Sequence, residues 1–287
     1  MFETLSTVIP VFYRNSDSGD QLRRALTSVV LQDFSPSQVI LSDDSSVTDQ
    51  PYVLQIVSEF ESLPITYVKN FGKKGISGNS NNGIRLSTSN YIHVLHQDDF
   101  LAHGNVYRET IESLVRSNSG WAVLPFNSNG RVMTPTWRLE ALVGLNEIGG
   151  PSGVVAKNCH FFEFDEQLEL FNDVDLFFRF SKIYGEPSVT RSLSISYGSG
   201  DYQVQRNTSP AKAAAEYKYL SIKYGSCYFL SFLRLLLRSE HIDLKLFACK
   251  VLISSHKINR LLVPIYVLLW IVSRLQGRRL RIGKRHN

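Results

Sequence analysis

From residue 4 to residue 126 the chain repeats one unit: an apolar, often β-branched run, a polar break, then an amphipathic stretch. "TLSTVIPVF" opens the series and the polar "YRNSDSGD" follows it. Leu22, Ala25, Leu26, Val29 and Val30 recur at helical spacing, which predicts a helix over 20–33. "SQVILSDDSS" repeats the scheme of an apolar strand with a polar end. Thr48 or Asp49 can cap the next helix, with Pro51 in its first turn and Val53, Leu54, Ile56, Val57 and Phe60 on its buried face. "ITYVK" is a third strand, "NFGKKGISGNSNNG" a Gly/Asn-rich loop, and a short helix is expected near 79–88. "YIHVL" is a fourth strand, 104–118 a helix, and "WAVLPF" a fifth strand.

This alternation predicts an α/β protein with a mostly parallel sheet flanked by helices on both faces. In open sheets of that kind ligands gather at the carboxyl ends of the strands. Three polar clusters follow strands here, Tyr13–Asn15, Asp43–Ser46 and Gln97–Asp99. A parallel sheet would bring them to one rim.

Adjacent carboxylates repel unless a cation or a proton compensates. Asp oxygens are hard ligands suited to Mg²⁺ or Mn²⁺, which typically take one or two carboxylates together with substrate phosphates. One Asp-Asp pair at a strand end reads equally as a solvated loop or a helix cap; two pairs, Asp43–Asp44 and Asp98–Asp99, on one rim favour the cation. A further acidic group lies in "FDEQLELFNDVDLFFRF", residues 164–180, where Leu168, Phe171, Asp175 and Phe178 alternate with charges at roughly helical spacing. Asp173 sits near the start of that helix, where partial positive charge stabilises an anion. The plainer reading is an N-terminal carboxylate with Asp175 and Arg179 as an i,i+4 pair. Before it stands "NEIGGPSGVVAKN", whose Gly149, Gly150 and Gly153 permit close backbone approach or positive φ.

These blocks carry a resemblance. "VIPVFYRN…LRRALTSVVLQDFSPSQVILSDDSS", "GNSNNGIRLSTSNYIHVLHQDDF" and "GGPSGVVAKN…FDEQLELFNDVDLFFRF" resemble, in order, the donor and acceptor segments of family 2 inverting nucleotide-sugar glycosyltransferases. The likeness covers about residues 5–185. It implies a GT-A fold, Rossmann-like, with Mn²⁺ or Mg²⁺ as cofactor. By the same resemblance Pro10, Val11 and Tyr13 line the nucleotide, with Asn79 on the donor side. Asp43 or Asp44 hydrogen-bonds the base, Asp98 holds the ribose and the metal, and Asp99 is the main metal ligand. Gly150, Pro151 and Ser152 form the acceptor loop, and Asp173 is the general base. Three positions depart from the family pattern: His96 opens the usual Asp-x-Asp-Asp, Asn172 replaces the acid before the base, and Ser80 or Asn82 stands where an Arg is common. The implied reaction moves a sugar from a nucleoside diphosphate sugar, a UDP-sugar by family expectation, to a saccharide hydroxyl in one inverting displacement. The alternatives are a catalytically inactive sugar-binding or scaffold homologue and a sugar nucleotidyltransferase. "YRNSDSGD" is a poor phosphate loop for the latter. "GKKGISG" has the wrong spacing and position for a dinucleotide fingerprint, and "DDSSVT" does not support a DxDxT phosphatase.

Composition bounds the rest. The chain has 287 residues, 43% hydrophobic and 20% charged, an ordinary folded composition. Its three cysteines lack metal-finger or disulfide spacing. "MFETLSTVIPVFYRN" lacks a basic n-region and a long apolar run, so a cytoplasmic location is expected. The net charge of +5 is concentrated in Arg274, Arg278, Arg279, Arg281, Lys284 and Arg285. The uncharged run Leu261–Ser273 beside them is 13 residues long and contains Pro264, well below the roughly 20 needed to span a bilayer. The expected organisation is a catalytic domain over 1–210, its donor half about 1–100 and its acceptor half about 101–210. A helical, basic extension over 211–287 then lies on the inner face of the cell membrane. A helix pair packed on the catalytic domain is the competing reading. No nucleic-acid motif accompanies the basic residues, so a nucleic-acid partner is not expected. A polyprenyl-diphosphate-linked oligosaccharide acceptor would explain such a tail.

Overall fold

A computed structural model describes residues 3–128, 130–159, 162–198 and 208–238, with Leu246 and Cys249. The first strands follow the hydrophobic pattern: β1 Leu5–Val11, β2 Gln38–Asp43, β3 Ile65–Lys69 and β4 Tyr91–Val94. They lie side by side and parallel in the order β3-β2-β1-β4, with Val8 level with Ile40 and Val94. Alternation across the pleat divides their side chains between two cores. Leu5, Ile9, Val39 and Leu41 face α1 Ser16–Val30, α2 Gln50–Ser58 and α4 Val106–Ser117. Val8, Ile40, Ile92 and Val94 face α3 Ile76–Ile84 and α5 Asn172–Tyr184. The helices thus cover both faces, as the periodicity predicts.

Beyond β4 the sheet changes direction. β9, Val154–Lys157, runs antiparallel to both β4 and β6 (Trp121–Val123), and β10, Ser188–Val189, closes that edge parallel to β6. The sequence reading treated "GGPSGVVAKN" as a loop and missed β9. Three consecutive buried residues between two strands, followed by the half-buried Lys157, carry no alternation to reveal them. The expected fifth strand "WAVLPF" breaks at Pro125, which has no N–H for a ladder. Its second half, β7 Phe126–Ser128, joins a small sheet ordered β5-β11-β7-β8 (Phe100–Leu101, Ile195–Ser196, Phe126–Ser128, Arg131–Met133).

Two helix starts differ from expectation for local reasons. α1 starts at Ser16, inside the expected loop, because Asn15 and Ser18 form a reciprocal capping box. α3 starts at Ile76 because its polar residues are held by distant backbone, described below. The helix expected to start near Asp173 does start at Asn172; before it, the Asn81 side chain holds the Phe164 backbone in two directions, donating to its carbonyl and accepting from its N–H. α5 is fixed by aromatic packing: Trp121 lies 5.9 Å from Phe180 and 6.3 Å from Phe177, and its indole N–H donates to the Gly185 carbonyl at 2.9 Å.

The chain divides into two compact units, Met1–Trp137 with Glu147–Asn207, and Arg138–Asn146 with Thr208–Asn287. In the second, a 3-10 segment, Leu139–Val143, buries Ala141, Leu142 and Val143. α6, Pro210–Arg238, breaks at Gly225, whose φ is 45°, and buries Tyr217, Leu220, Tyr228, Phe232 and Leu235. No helix among the described residues is long and apolar enough to cross a membrane. The apolar run 261–273 and the basic tail, on which the membrane expectation rests, lie outside the described residues.

Candidate active site

The three polar clusters do meet at one rim, and most of their groups are spent on building it. Asp43, fully buried at the end of β2, accepts from Tyr67 Oη at 2.7 Å, Lys69 Nζ at 3.0 Å and the Ser45 N–H at 2.8 Å. Burial would raise its pKa, but these donors outweigh it and hold the carboxyl below its ordinary value. Asp44 accepts from Asn70 Nδ2 at 2.7 Å, Lys74 Nζ at 3.3 Å and the Gly75 N–H at 2.8 Å, closing the turn that leads into α3. Asn79 donates to the Val11 carbonyl and accepts from Ser42 Oγ at 2.7 Å. Its side chain therefore ties α3 to β1 and β2, although it was expected on the donor. Pro10 and Val11 form the end of β1. Tyr13 stacks on Tyr52 with ring centres 5.2 Å apart, forming an aromatic wall beside it.

The second pair is built differently. A turn over residues 96–99 is closed by the Asp99 N–H donating to the His96 carbonyl at 3.0 Å. Gln97 accepts from the Phe12 N–H and donates to the Phe12 carbonyl, locking the ends of β1 and β4 together. Arg24, not singled out by the sequence, reaches from α1 to the Asp98 carbonyl at 2.8 Å and lies over the Phe100 ring. Asp99 is 5% exposed. It accepts from Ser152 Oγ at 2.6 Å and from the Gly198 N–H at 2.8 Å. Those two bonds do not compensate its burial and the neighbouring Asp98 charge, so its pKa is pushed up to about 8. A carboxylate whose ionised form is this poorly supported is suited to a cation.

One ligand atom each from His96, Asp98 and Asp99 lies within 4.8 Å of the others. His96 Nε2 is buried and has no hydrogen-bond partner, and burial keeps the ring below its ordinary pKa. An orphaned imidazole nitrogen beside two carboxylates is a donor set that fits a divalent ion.

Ser152, in the 3-10 turn Pro151–Gly153, is a hub. Its Oγ donates to Asp99 and accepts from the His96 N–H at 3.0 Å. Its carbonyl accepts from His93 Nε2 at 2.8 Å. Since a carbonyl only accepts, His93 carries its proton on Nε2 and takes one on Nδ1 from Tyr107 Oη at 3.0 Å; Thr7 Oγ1 lies 2.8 Å from the same phenol. Burial brings the His93 pKa down to about 4, so this buried chain is neutral. Gly150 and Pro151 lead into Ser152 in a 3-10 turn. Tyr197 packs against that loop: its hydroxyl accepts from the Gly150 N–H at 3.0 Å. A Cβ on Gly149 or Gly153 would come within 2.6 or 2.7 Å of the same oxygen, and Gly149 has φ 90°. Close approach and positive φ, the two uses open to these glycines, both apply at Gly149.

Asp173 lies in the first turn of α5, nearly buried, with Oδ1 accepting from the Val174 N–H at 2.7 Å. Asn172 links that turn to α3 through Ser77 Oγ at 2.8 Å. Asp173 and Asp99 come from helices and strands far apart in sequence, yet both charges raise the pKa of the Tyr197 phenol, after its burial. Asp175 pairs with Arg179 at 3.0 Å, as the spacing predicts. Tyr197 and Gly198 went unnoticed in the sequence, where one Tyr-Gly pair after a two-residue strand carries no pattern.

The sequence profile of glycosyl transferase family 2 matches residues 6–183. A Campylobacter jejuni GalNAc(5)-diNAcBac-PP-undecaprenol beta-1,3-glucosyltransferase is 29% identical over 119 residues, 41% of this chain and 36% of that enzyme. The Escherichia coli putative colanic acid biosynthesis glycosyl transferase WcaA is 26% identical over 231 residues, 68% of this chain and 74% of its own. Among solved structures, Staphylococcus aureus TarS 1–349 in complex with UDP-GlcNAc aligns with a TM-score of 0.62 at 13% identity. It covers 88% of this chain and 80% of that one. The Pyrobaculum calidifontis mannosyltransferase PcManGT in complex with GDP-Man and Mn²⁺ aligns with a TM-score of 0.61 at 11% identity, covering 96% and 81%. At these identities the structural likenesses establish a shared fold.

Proposed function

The chain belongs to glycosyl transferase family 2 and has its GT-A fold; from that premise we propose that it is a metal-dependent, inverting enzyme of surface polysaccharide synthesis. In this reading it moves a sugar from a UDP-sugar to a hydroxyl of a polyprenyl-diphosphate-linked saccharide. The observation that carries the proposal is the bridging of Asp99. One carboxylate at the end of β4 is tied to the acceptor loop through Ser152 Oγ and to the Tyr197–Gly198 segment through a backbone N–H. Donor-side and acceptor-side elements therefore share one buried acid.

The nucleotide lies against Pro10, Val11 and Tyr13, with Tyr52 backing the aromatic wall and Asp43 or Asp44 accepting from the base edge. Asn79 acts indirectly, by holding α3 against the strand ends. Asp98 and Asp99 would hold Mn²⁺ or Mg²⁺, which would supply positive charge against the negative charge developing on the departing diphosphate. Gly150, Pro151 and Ser152 border the acceptor. Asp173, oriented by its bond from the Val174 N–H, takes the proton of the attacking hydroxyl. A lipid-linked acceptor is supported by the undecaprenol-linked substrate named for the Campylobacter relative. The apolar run 261–273 with its basic tail suits attachment to an anionic membrane surface. The test is a panel of UDP-, GDP- and dTDP-sugars, with a lipid-linked saccharide acceptor, with and without Mn²⁺. Turnover of a UDP-sugar that requires the cation is expected. Absence of turnover for every donor would favour an inactive homologue.

A further inference from the structure

His96 stands at the first position of the turn that ends β4 and Asp99 at the fourth, and the turn's closing hydrogen bond brings those two side chains near each other. The turn is anchored from outside by Ser152 on the His96 N–H, Gln97 on the Phe12 backbone and Arg24 on the Asp98 carbonyl. Its geometry therefore does not depend on any bond between the imidazole and the acids. His96 Nε2 has no hydrogen-bond partner, and a buried polar atom left unpaired costs about 1–3 kcal/mol. Gly198 packs so tightly behind the turn that a Cβ there would lie 2.6 Å from the Asp98 carbonyl, so the segment cannot retreat in that direction.

We infer that His96 is itself a metal ligand, so that the cation is held by a mixed set of one imidazole nitrogen and the carboxylates of Asp98 and Asp99, and that this nitrogen biases the site toward Mn²⁺ over Mg²⁺. The inference rests on the metal-dependent reading above and deepens it. Ligands about 2.2 Å from an octahedral ion stand about 3 Å apart when adjacent and about 4.4 Å when opposite. The present separations are all within 4.8 Å, near the upper end of that range. Both ions favour oxygen ligands, but Mn²⁺, as a first-row transition ion, accepts an imidazole nitrogen more readily than the harder Mg²⁺ does. A histidine here thus discriminates between two cations that two aspartates alone would treat more evenly.

The experiment uses the full chain with Mn²⁺ alone, followed by electron spin-echo spectroscopy and by Mn²⁺ and Mg²⁺ titrations. Expected are a directly coordinated nitrogen signal in the wild type and a preference for Mn²⁺ of at least about tenfold. His96→Asp should bind Mn²⁺ without the nitrogen signal and lose most of that preference. His96→Gln, close in size, gives a second route if the aspartate variant does not fold, with unfolding in EDTA as the control. Mn²⁺ bound with no nitrogen signal in the wild type, or a signal that survives in both variants, overturns the role of His96 and leaves the metal site standing. Failure of the wild type to bind Mn²⁺ at all overturns both the inference and the metal dependence beneath it.

Discussion

Replacing Asp99 by Asn separates the cost of this acid from its use. The carboxyl ordinarily ionises near 3.8 and in the folded protein near 8. Below pH 3.8 both folded and unfolded chains hold the proton and no penalty exists. As the pH rises from 3.8 to 8, the unfolded chain ionises and the folded one does not. Folded stability therefore falls by about 1.4 kcal/mol per pH unit. The span of roughly four units sets a ceiling of about 5 kcal/mol, of which about 4 develops between pH 5 and pH 8. An amide cannot ionise and keeps one acceptor for Ser152 or Gly198, at a loss of about 1–2 kcal/mol in hydrogen-bond strength. In EDTA, Asp99→Asn should thus match the wild type near pH 5 and exceed it by about 4 kcal/mol at pH 8. For a chain of this size that is roughly 8–16 °C in Tm. Urea unfolding followed by the fluorescence of Trp121 and Trp137 measures the difference, and saturating Mn²⁺ should reverse the ranking, because only the wild type binds it. A stability difference that is the same at pH 5 and pH 8, or a variant that is weaker at both, refutes the reasoning.

Three further outcomes are expected. Gly198→Ala drives a Cβ to 2.6 Å from the Asp98 carbonyl; overpacking of about 1–3 kcal/mol should weaken Mn²⁺-dependent nucleotide affinity at least tenfold, and calorimetry showing wild-type affinity would exclude strain at that contact. Lys69→Met leaves the buried Asp43 without its cation and should cost about 3 kcal/mol by urea unfolding at pH 7. Because the Asp43 pKa is depressed, the benefit of the pair exists above pH 4 and is lost in stronger acid, so the deficit should shrink there; a deficit unchanged with pH would assign it to packing. Asp173→Asn keeps an acceptor for the Val174 N–H and so the start of α5; donor binding should persist while transfer falls by about 10²–10⁴, and a rate within tenfold of wild type would remove Asp173 as the base.

Local pattern was enough to locate the strand ends. β1, β2, β3 and β4 are apolar runs whose carboxyl ends turn polar, and a parallel sheet places such ends together whatever the loops contain. Asp43, Asp99 and Asp173 were legible on that ground, the last because helix periodicity begins just after it. Periodicity reports burial within a few residues, and it is silent on partners 30 to 100 positions away. So it could not tell that Asp44 and Asn79 also tie the scaffold together: their partners, Gly75 and Val11, are set by how α3 lies across β1 and β2.

The larger omission has the same cause. β9 is three apolar residues and a lysine between glycines and a polar loop, and only insertion between β4 and β6 makes it a strand. That insertion carries Ser152 to Asp99, and β11 brings Gly198 to the same carboxylate from 99 residues away. The sequence by itself determined which residue types stand at the rim and the class of chemistry they suit. Tertiary structure alone decided which acids are neutralised by the protein and which one is left buried with too few donors, because desolvation and hydrogen-bond supply depend on what the fold packs around a group.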